Sequence, residues 1–348
     1  MKIKNDDLIT LDKFIEESLY NTKFGYYMKK DPFGAKGDFI TAPNISILFS
    51  EMIAIWVISF WEKLNCTEYF NLIELGAGNG EMMKALIATF SKFPKFQKAC
   101  NINILEKSKL LKQAQRTNIN SKKITWLNNL NELDNVPCVF LANEFFDALP
   151  IKQFLKKGGK WHERYVKFKN QTNKEYLDVP FNMKKLEKEI KFRISHEQKF
   201  IEYSPQASEY LKSITHKIKN NNGGILIIDY AYTDKKMKNT LQAVSKHKYC
   251  DVLEGFRSSD ITYNLSLDLI NKIIKELGTF TSLITSQKLF LTKLGIMERA
   301  EIVSRNISFN KKADIYYRIK RLIDEKQMGH LFKVMFITNH KNKFKLGF

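Results

Sequence analysis

An apolar run that closes on three alternate glycines, Leu72-Ile-Glu-Leu-Gly-Ala-Gly-Asn-Gly80, limits what this chain can fold into. The spacing predicts a strand, a tight turn and a helix over Glu81–Phe90. Glycines let a backbone turn sharply and approach a ligand closely. The helix start behind them offers unpaired N–H groups and the positive end of its dipole. The dinucleotide fingerprint is G-x-G-x-x-G, whereas here the glycines fall at Gly76, Gly78 and Gly80, the third one residue early. Glu74 precedes them, and a carboxylate there would repel a pyrophosphate but could hold the amino group of an amino-acid-like ligand. The plainer alternative is a glycine-rich turn with no ligand. It leaves the coincidence of strand, acid and helix unexplained.

Taken in order, the rest alternates strands and helices. Residues 8–20 and 45–64 read as helices, separated by a segment rich in glycine, proline and aromatics. That segment holds Phe24-Gly-Tyr-Tyr, Asp31-Pro-Phe-Gly and Gly37-Asp-Phe-Ile-Thr-Ala-Pro43. It is either a structured lid or a plain aromatic-rich loop on the core. Strands follow at 71–75, 101–105, 124–127 and 138–142, the signature of a doubly wound α/β sheet. Glu106 ends the second strand, close to the roughly 20-residue offset at which an acid meets a ribose hydroxyl pair in nucleotide-binding folds.

The fourth strand runs into Asn143-Glu-Phe-Phe-Asp-Ala-Leu-Pro150. Ligands of open α/β sheets bind beyond the carboxyl ends of strands, beside the switch point. Asn143, Glu144 and Asp147 are therefore the candidate catalytic residues, with Phe146 beside them: an acidic, partly dry cup suited to a cationic acceptor. A helix N-cap is the alternative for Asn143 or Asp147. Residues from about 151 to 222 depart from the alternation and read as an inserted substrate-side layer, with a hairpin turning at Lys157-Gly-Gly-Lys160 and a helix over 183–194. A buried strand over 224–230 follows, then a long polar segment containing His247, placed on the substrate side. Strands at 280–284 and 331–337 and helices between them complete the pattern. The expected division is 1–66, N-terminal helices and lid, and 67–348, the core with its insertion.

The chain carries 57 Lys and Arg against 37 Asp and Glu, a net charge of +20. Such a charge draws a protein to anionic surfaces without saying which. A compositional bias of the source genome would give the same excess. The four cysteines are scattered, so neither a zinc site nor a disulfide framework is indicated. The six histidines show no metal-ligand spacing. No stretch is long and apolar enough to span a membrane, and the N-terminus has no targeting pattern. The expected location is the cytoplasm of a bacterium, or the mitochondrial matrix of a eukaryote.

Several blocks together resemble the MidA-type S-adenosyl-L-methionine (SAM)-dependent methyltransferases. These are Phe24-Gly-Tyr-Tyr, Asp31-Pro-Phe-Gly, Gly37-Asp-Phe-Ile-Thr-Ala-Pro, Glu74-Leu-Gly-Ala-Gly-Asn-Gly, Ala142-Asn-Glu-Phe-Phe-Asp-Ala-Leu-Pro-Ile, Leu241-Gln-Ala-Val and Met328-Gly-His-Leu-Phe-Lys-Val. The resemblance implies a class I SAM methyltransferase fold: a seven-strand doubly wound sheet, an N-terminal helical and lid segment, and the inserted layer. It also implies SAM as cofactor and arginine of a protein as acceptor, in characterised members a core subunit of respiratory complex I. On that basis Glu74, Gly76, Ala77, Gly78, Gly80 and Glu106 hold the cofactor. Gly37, Asp38, Phe39, Thr41, Pro43, Phe146 and His247 line the lid or substrate side. The chain reads Asn264-Leu-Ser-Leu where the family often reads His-Val-Asp-Phe.

Two other readings stand beside this one. The positive charge motivates an RNA methyltransferase, which would bind RNA with a steep salt dependence. The acidic cup argues against it. The departure at Asn264 motivates an assembly chaperone that binds SAM without turnover. A hydride-transferring dehydrogenase fits the glycine spacing least.

Overall fold

The apolar run before the glycines forms the middle of a sheet. The computed structural model describes residues 4, 6–29, 32, 40–121, 123–170 and 173–348. Five strands run parallel: β1 (Phe70–Leu75), β2 (Cys100–Leu105), β3 (Ile124–Leu127), β4 (Cys138–Asn143) and β5 (Gly223–Tyr232). Strands β6 (Phe280–Ser286) and β7 (Phe332–Asn339) are antiparallel additions, β7 on β5 and β6 on β7. The spatial order is β6-β7-β5-β4-β1-β2-β3. Its reversal lies between β1 and β4, so the loops leaving these two strands open at the switch point, where α/β sheets bind ligands. Strand β5 is buried along almost its whole length, which explains its unbroken Gly-Ile-Leu-Ile-Ile run.

These strands belong to one compact unit, Asp31–Phe145, Ile214–Ala231 and Thr279–Phe348. Helix α1 (Ile47–Lys63) is apolar nearly all round and buries Trp56 completely. Trp56 meets Phe336 edge-on at 5.0 Å and Phe344 at 5.4 Å, and lies 5.8 Å from the parallel ring of Phe60. Edge-to-face pairs of this kind add to the burial of apolar area. Helix α2 (Glu81–Phe90) follows the glycines directly, and α3 (Lys109–Ile119) follows β2.

The second unit comprises Met1–Lys30, Phe146–Ser213 and Tyr232–Gly278. It holds an antiparallel sheet in which Lys160–Phe168 pairs along one edge with Lys152–Lys157 and then Leu8–Thr10, and along the other with Lys174–Pro180, while Phe200–Tyr203 pairs with Lys152–Lys157. The hairpin turns at Gly158 and Gly159, both left-handed, as its sequence predicts.

Three features differ from the sequence reading. The predicted helix over 8–20 begins only at Leu11, because Leu8–Thr10 pairs with the sheet. Lys174–Pro180 is a strand that its charges and closing proline concealed. The polar segment after β5 folds into a small sheet of Gln242–Ser245, Lys248–Cys250 and Asp260–Thr262.

Tyr27 is buried in this unit, and its hydroxyl donates to Asp260 Oδ1 at 2.7 Å. Burial and the Asp260 charge push the phenol well above its ordinary range, so it stays a donor. Tyr27→Phe removes that donor from a buried carboxylate, and the expected cost is about 1–2 kcal/mol. Urea denaturation should show a lower midpoint with an unchanged slope.

Candidate functional site

Gly76, Gly78 and Gly80 have φ of 65°, 52° and 86°, all left-handed, where a side chain costs about 1–2 kcal/mol. Gly76 N–H donates to Leu105 O at 2.9 Å, so the β1–β2 ladder continues into the turn. A Cβ on Gly76 would lie 2.8 Å from the Phe145 ring, and one on Gly80 would lie 3.0 Å from Ile119. These two glycines thus let the loop seat against the strand β4 loop on one side and α3 on the other. Gly80 caps α2. Asn79 Oδ1 accepts from Glu81 N–H at 3.4 Å, closing the helix start.

Around this loop lies a small cleft whose walls include Thr41, Pro43, Glu74, Gly78, Asn143 and Glu144. Gly76 and Ala77 border it as well. The sequence reading therefore brought together residues from the end of the lid, from β1 and from β4. It missed Asn44, Asn79, Glu81 and Met82, which also line the cleft. Asn79 and Glu81 were legible in principle, since a turn into a helix start aims its polar residues at the same space. Glu106 follows β2, and its charge acts on Glu74. Phe146 and Asp147 are buried, and they lie in the other unit with His247. There His247 sits with Lys246 in the left-handed, exposed turn between two short strands. Gly37, Asp38 and Phe39 lie outside the described residues.

Glu144 has a φ of 50°, uncommon for a residue with a side chain. Its N–H donates to Ile228 O at 2.9 Å, which pins the turn to β5. Its Oε1 accepts from Asn143 Nδ2 at 3.3 Å and from Ala42 N–H at 3.4 Å. Strain retained this way, in a loop held from two sides, is characteristic of functional positions.

Electrostatics separate the two acids of β1 and β2. Glu74 is 3% exposed, and no donor among the described residues reaches its Oε2. Burial first, and then the Glu106 charge, push its pKa up to about 8. Burial also raises Glu106, but Ser108 N–H at 2.8 Å and Gln115 Nε2 at 3.1 Å donate to its two oxygens and favour the ionised form. Asn143 Oδ1 is a second buried acceptor with no hydrogen-bond partner among the described residues. Two unsatisfied acceptors on one cleft are costly unless a donor or cation arrives. The residues present therefore fit a ligand with an ammonium group, a nucleoside and a positive centre, as SAM has.

A family model for SAM-dependent methyltransferases matches residues 52–285. The "Protein arginine methyltransferase NDUFAF7, mitochondrial" of Homo sapiens is 26% identical over 98% of this chain and 82% of its own length. That of Xenopus laevis is 26% identical over 99% of this chain and 85% of its own. A superfamily member from Burkholderia thailandensis, crystallised with S-adenosyl-homocysteine, superposes with a TM-score of 0.80. It is 22% identical and covers 98% of this chain and 90% of that one, a likeness of fold. The sheet order, the cleft at the switch point and the family match agree, and the chain belongs to the SAM-dependent methyltransferases.

Proposed function

We propose that this enzyme transfers a methyl group from SAM to the guanidinium of an arginine in a protein. The observation that carries the reading is the pairing, on one cleft, of Glu74 with the Asn143–Glu144 turn. Glu74 offers a buried carboxylate to the ammonium group of the cofactor, and Glu106 offers one to its ribose. The glycine turn supplies a wall without side chains. When bound, SAM supplies a methyl group activated by its sulfonium. The chain's own work is then to bring a nitrogen into line and keep water out. Arginine is a poor nucleophile because its charge is delocalised and its protons are held tightly. A carboxylate that accepts two of its N–H groups fixes the plane and concentrates electron density on the third nitrogen. Glu144 is assigned this role, and it takes a proton from one of the N–H groups it holds, so that the third nitrogen attacks from a neutral guanidine and the methylated product keeps a single positive charge. Asn143 steadies Glu144 through its amide.

The resemblance to the MidA type supports a respiratory complex I subunit as the acceptor, in the bacterial cytoplasm or the mitochondrial matrix. The names of the curated relatives support protein arginine as the acceptor class. Among the described residues no helix is long and apolar enough to cross a membrane.

The test is incubation with methyl-labelled SAM and a lysate of the source cell lacking this protein. The expected result is label in one protein band, released on hydrolysis as methylarginine. Label in RNA would overturn the acceptor class in favour of the nucleic-acid reading. Cofactor binding without any label would overturn turnover and leave the chaperone reading.

A further inference from the structure

Gln115 is a fully buried polar side chain in the middle of α3, facing the glycine loop. Its amide is completely used. Trp126 Nε1 donates to Gln115 Oε1 at 2.9 Å. An indole N–H is only ever a donor, so this contact fixes which end of the amide is oxygen. Nε2 must then face the opposite way, and its two hydrogens meet Gly78 O at 2.9 Å and Glu106 Oε2 at 3.1 Å. One side chain therefore ties together the middle of the glycine turn, the acid after β2 and the tryptophan of β3. Arg116, the next residue, lies over the Trp126 ring at 4.8 Å and holds the indole from its face. One turn of helix on, Asn118 Nδ2 donates to Asn79 O at 3.1 Å and to Glu81 Oε1 at 2.8 Å. The same face of α3 thus grips the glycine turn at two successive points.

We propose that Gln115 is a positioning residue of the cofactor site, locking the Glu106 carboxylate and the Gly78 carbonyl into one fixed relation through Trp126. The proposal rests on the reading that this cleft holds SAM. Its physical content is pre-organisation. Ser108 N–H and Gln115 Nε2 occupy one lone pair on each Glu106 oxygen. Lys107 N–H is a further backbone donor to the same carboxylate; together these donors orient its plane and leave acceptor capacity for a ribose hydroxyl. Gly78 O is anchored at the same time, so the loop does not have to be ordered when the ligand binds. A flipped amide would place like against like at all three contacts, and a missing one would remove the shared partner of Gly78 O, Glu106 and Trp126.

The test is S-adenosyl-homocysteine binding by calorimetry on the full chain from pH 6 to pH 8, reading each variant as a ratio to the wild type at the same pH. This ratio removes the pH dependence that variant and wild type share. The charged groups near the substituted position are Glu106, Lys112 and Arg116. Gln115→Met keeps the volume and removes the donors. It should weaken binding about tenfold to a hundredfold at every pH, the range expected when a buried charged group loses a hydrogen bond. Gln115→Glu puts a carboxylate against two acceptors and regains a donor only when protonated. Its deficit should shrink severalfold as the pH falls from 8 to 6. Trp126→Phe frees the amide to flip and should cost about threefold to tenfold by the same logic, which tests the proposal even if neither Gln115 variant folds. Ratios near one for all three variants would overturn it. So would a deficit of Gln115→Glu that stays constant with pH and equals that of Gln115→Met, because that is what mere packing would give. Failure of the underlying reading looks different: Glu74→Gln would then leave binding unchanged as well.

Discussion

Replacing Glu74 with glutamine should weaken S-adenosyl-homocysteine binding about a hundredfold. Removing one partner of a buried ion pair costs about 3–5 kcal/mol. The free enzyme gives part of this back, because its carboxyl is protonated with a pKa of about 8. Ionising it at pH 7 costs about 1.4 kcal/mol per unit of pKa above the pH. The balance of about 1.6–3.6 kcal/mol corresponds to roughly fifteen- to four-hundredfold.

The sign of the proton linkage follows from the same facts. Below pH 8 the free site is protonated and the ligand amino group, with an ordinary pKa of about 7.7–8.0, is cationic. Pairing them expels a proton. Calorimetry at pH 6.5 in buffers of different ionisation enthalpy should therefore show about one proton released per ligand bound. Glu74→Gln should release none. The raised pKa also means that the folded state without ligand holds this proton more tightly than the unfolded chain does. Through Glu74, the stability of the ligand-free protein should fall as the pH rises from about 4.5 to about 8. A wild-type affinity insensitive to the substitution would remove Glu74 from the site.

The second large effect belongs to Glu144. With glutamine in its place the turn keeps an acceptor for Ala42 N–H, so its left-handed conformation and the cleft should persist. The charge that orients a guanidinium is lost. Turnover should fall about a hundred- to a thousandfold, the range for removing one pre-organised electrostatic contact from a transition state. S-adenosyl-homocysteine binding should change less than threefold. A matched fall in both quantities would identify Glu144 as a brace for the cleft rather than a group that touches the acceptor. Full activity would assign the work to another side chain.

Much of this was legible in the sequence because it depends on local chemistry. Three glycines in a row of left-handed turns, an acid on the strand before them and a helix start behind them are all consequences of short-range sterics. So are the parallel strands, which announce themselves as apolar runs. The readings that failed concern residues whose conformation is decided by distant partners. Leu8–Thr10 was assigned to a helix by its spacing, but it completes a sheet edge with Tyr165–Lys167, far along the chain. The strand Lys174–Pro180 carries too many charges to show a period of two.

The same limit explains the missed parts of the site. Gln115 looks like one more polar residue on a surface helix. Only the approach of Gly78, Glu106 and Trp126 gives its amide a task. Gly76 invited the reading that a ligand comes close; only the fold shows that its hydrogen also makes room for Phe145. Phe145 itself was visible in sequence only as one of two adjacent phenylalanines.

The core around Trp56 bears on how the chain is made. The indole N–H of Trp56 donates to Leu346 O at 3.1 Å, 290 residues further on, and Phe344 closes over the same ring. At a translation rate of about 5–20 residues per second, roughly 15–60 seconds separate the synthesis of the two partners. During that interval an almost wholly apolar helix is complete while residues that cover it do not yet exist. The nascent chain therefore carries its first long helix uncovered over that interval, and this unit can close only after Phe344 and Leu346 have been synthesised.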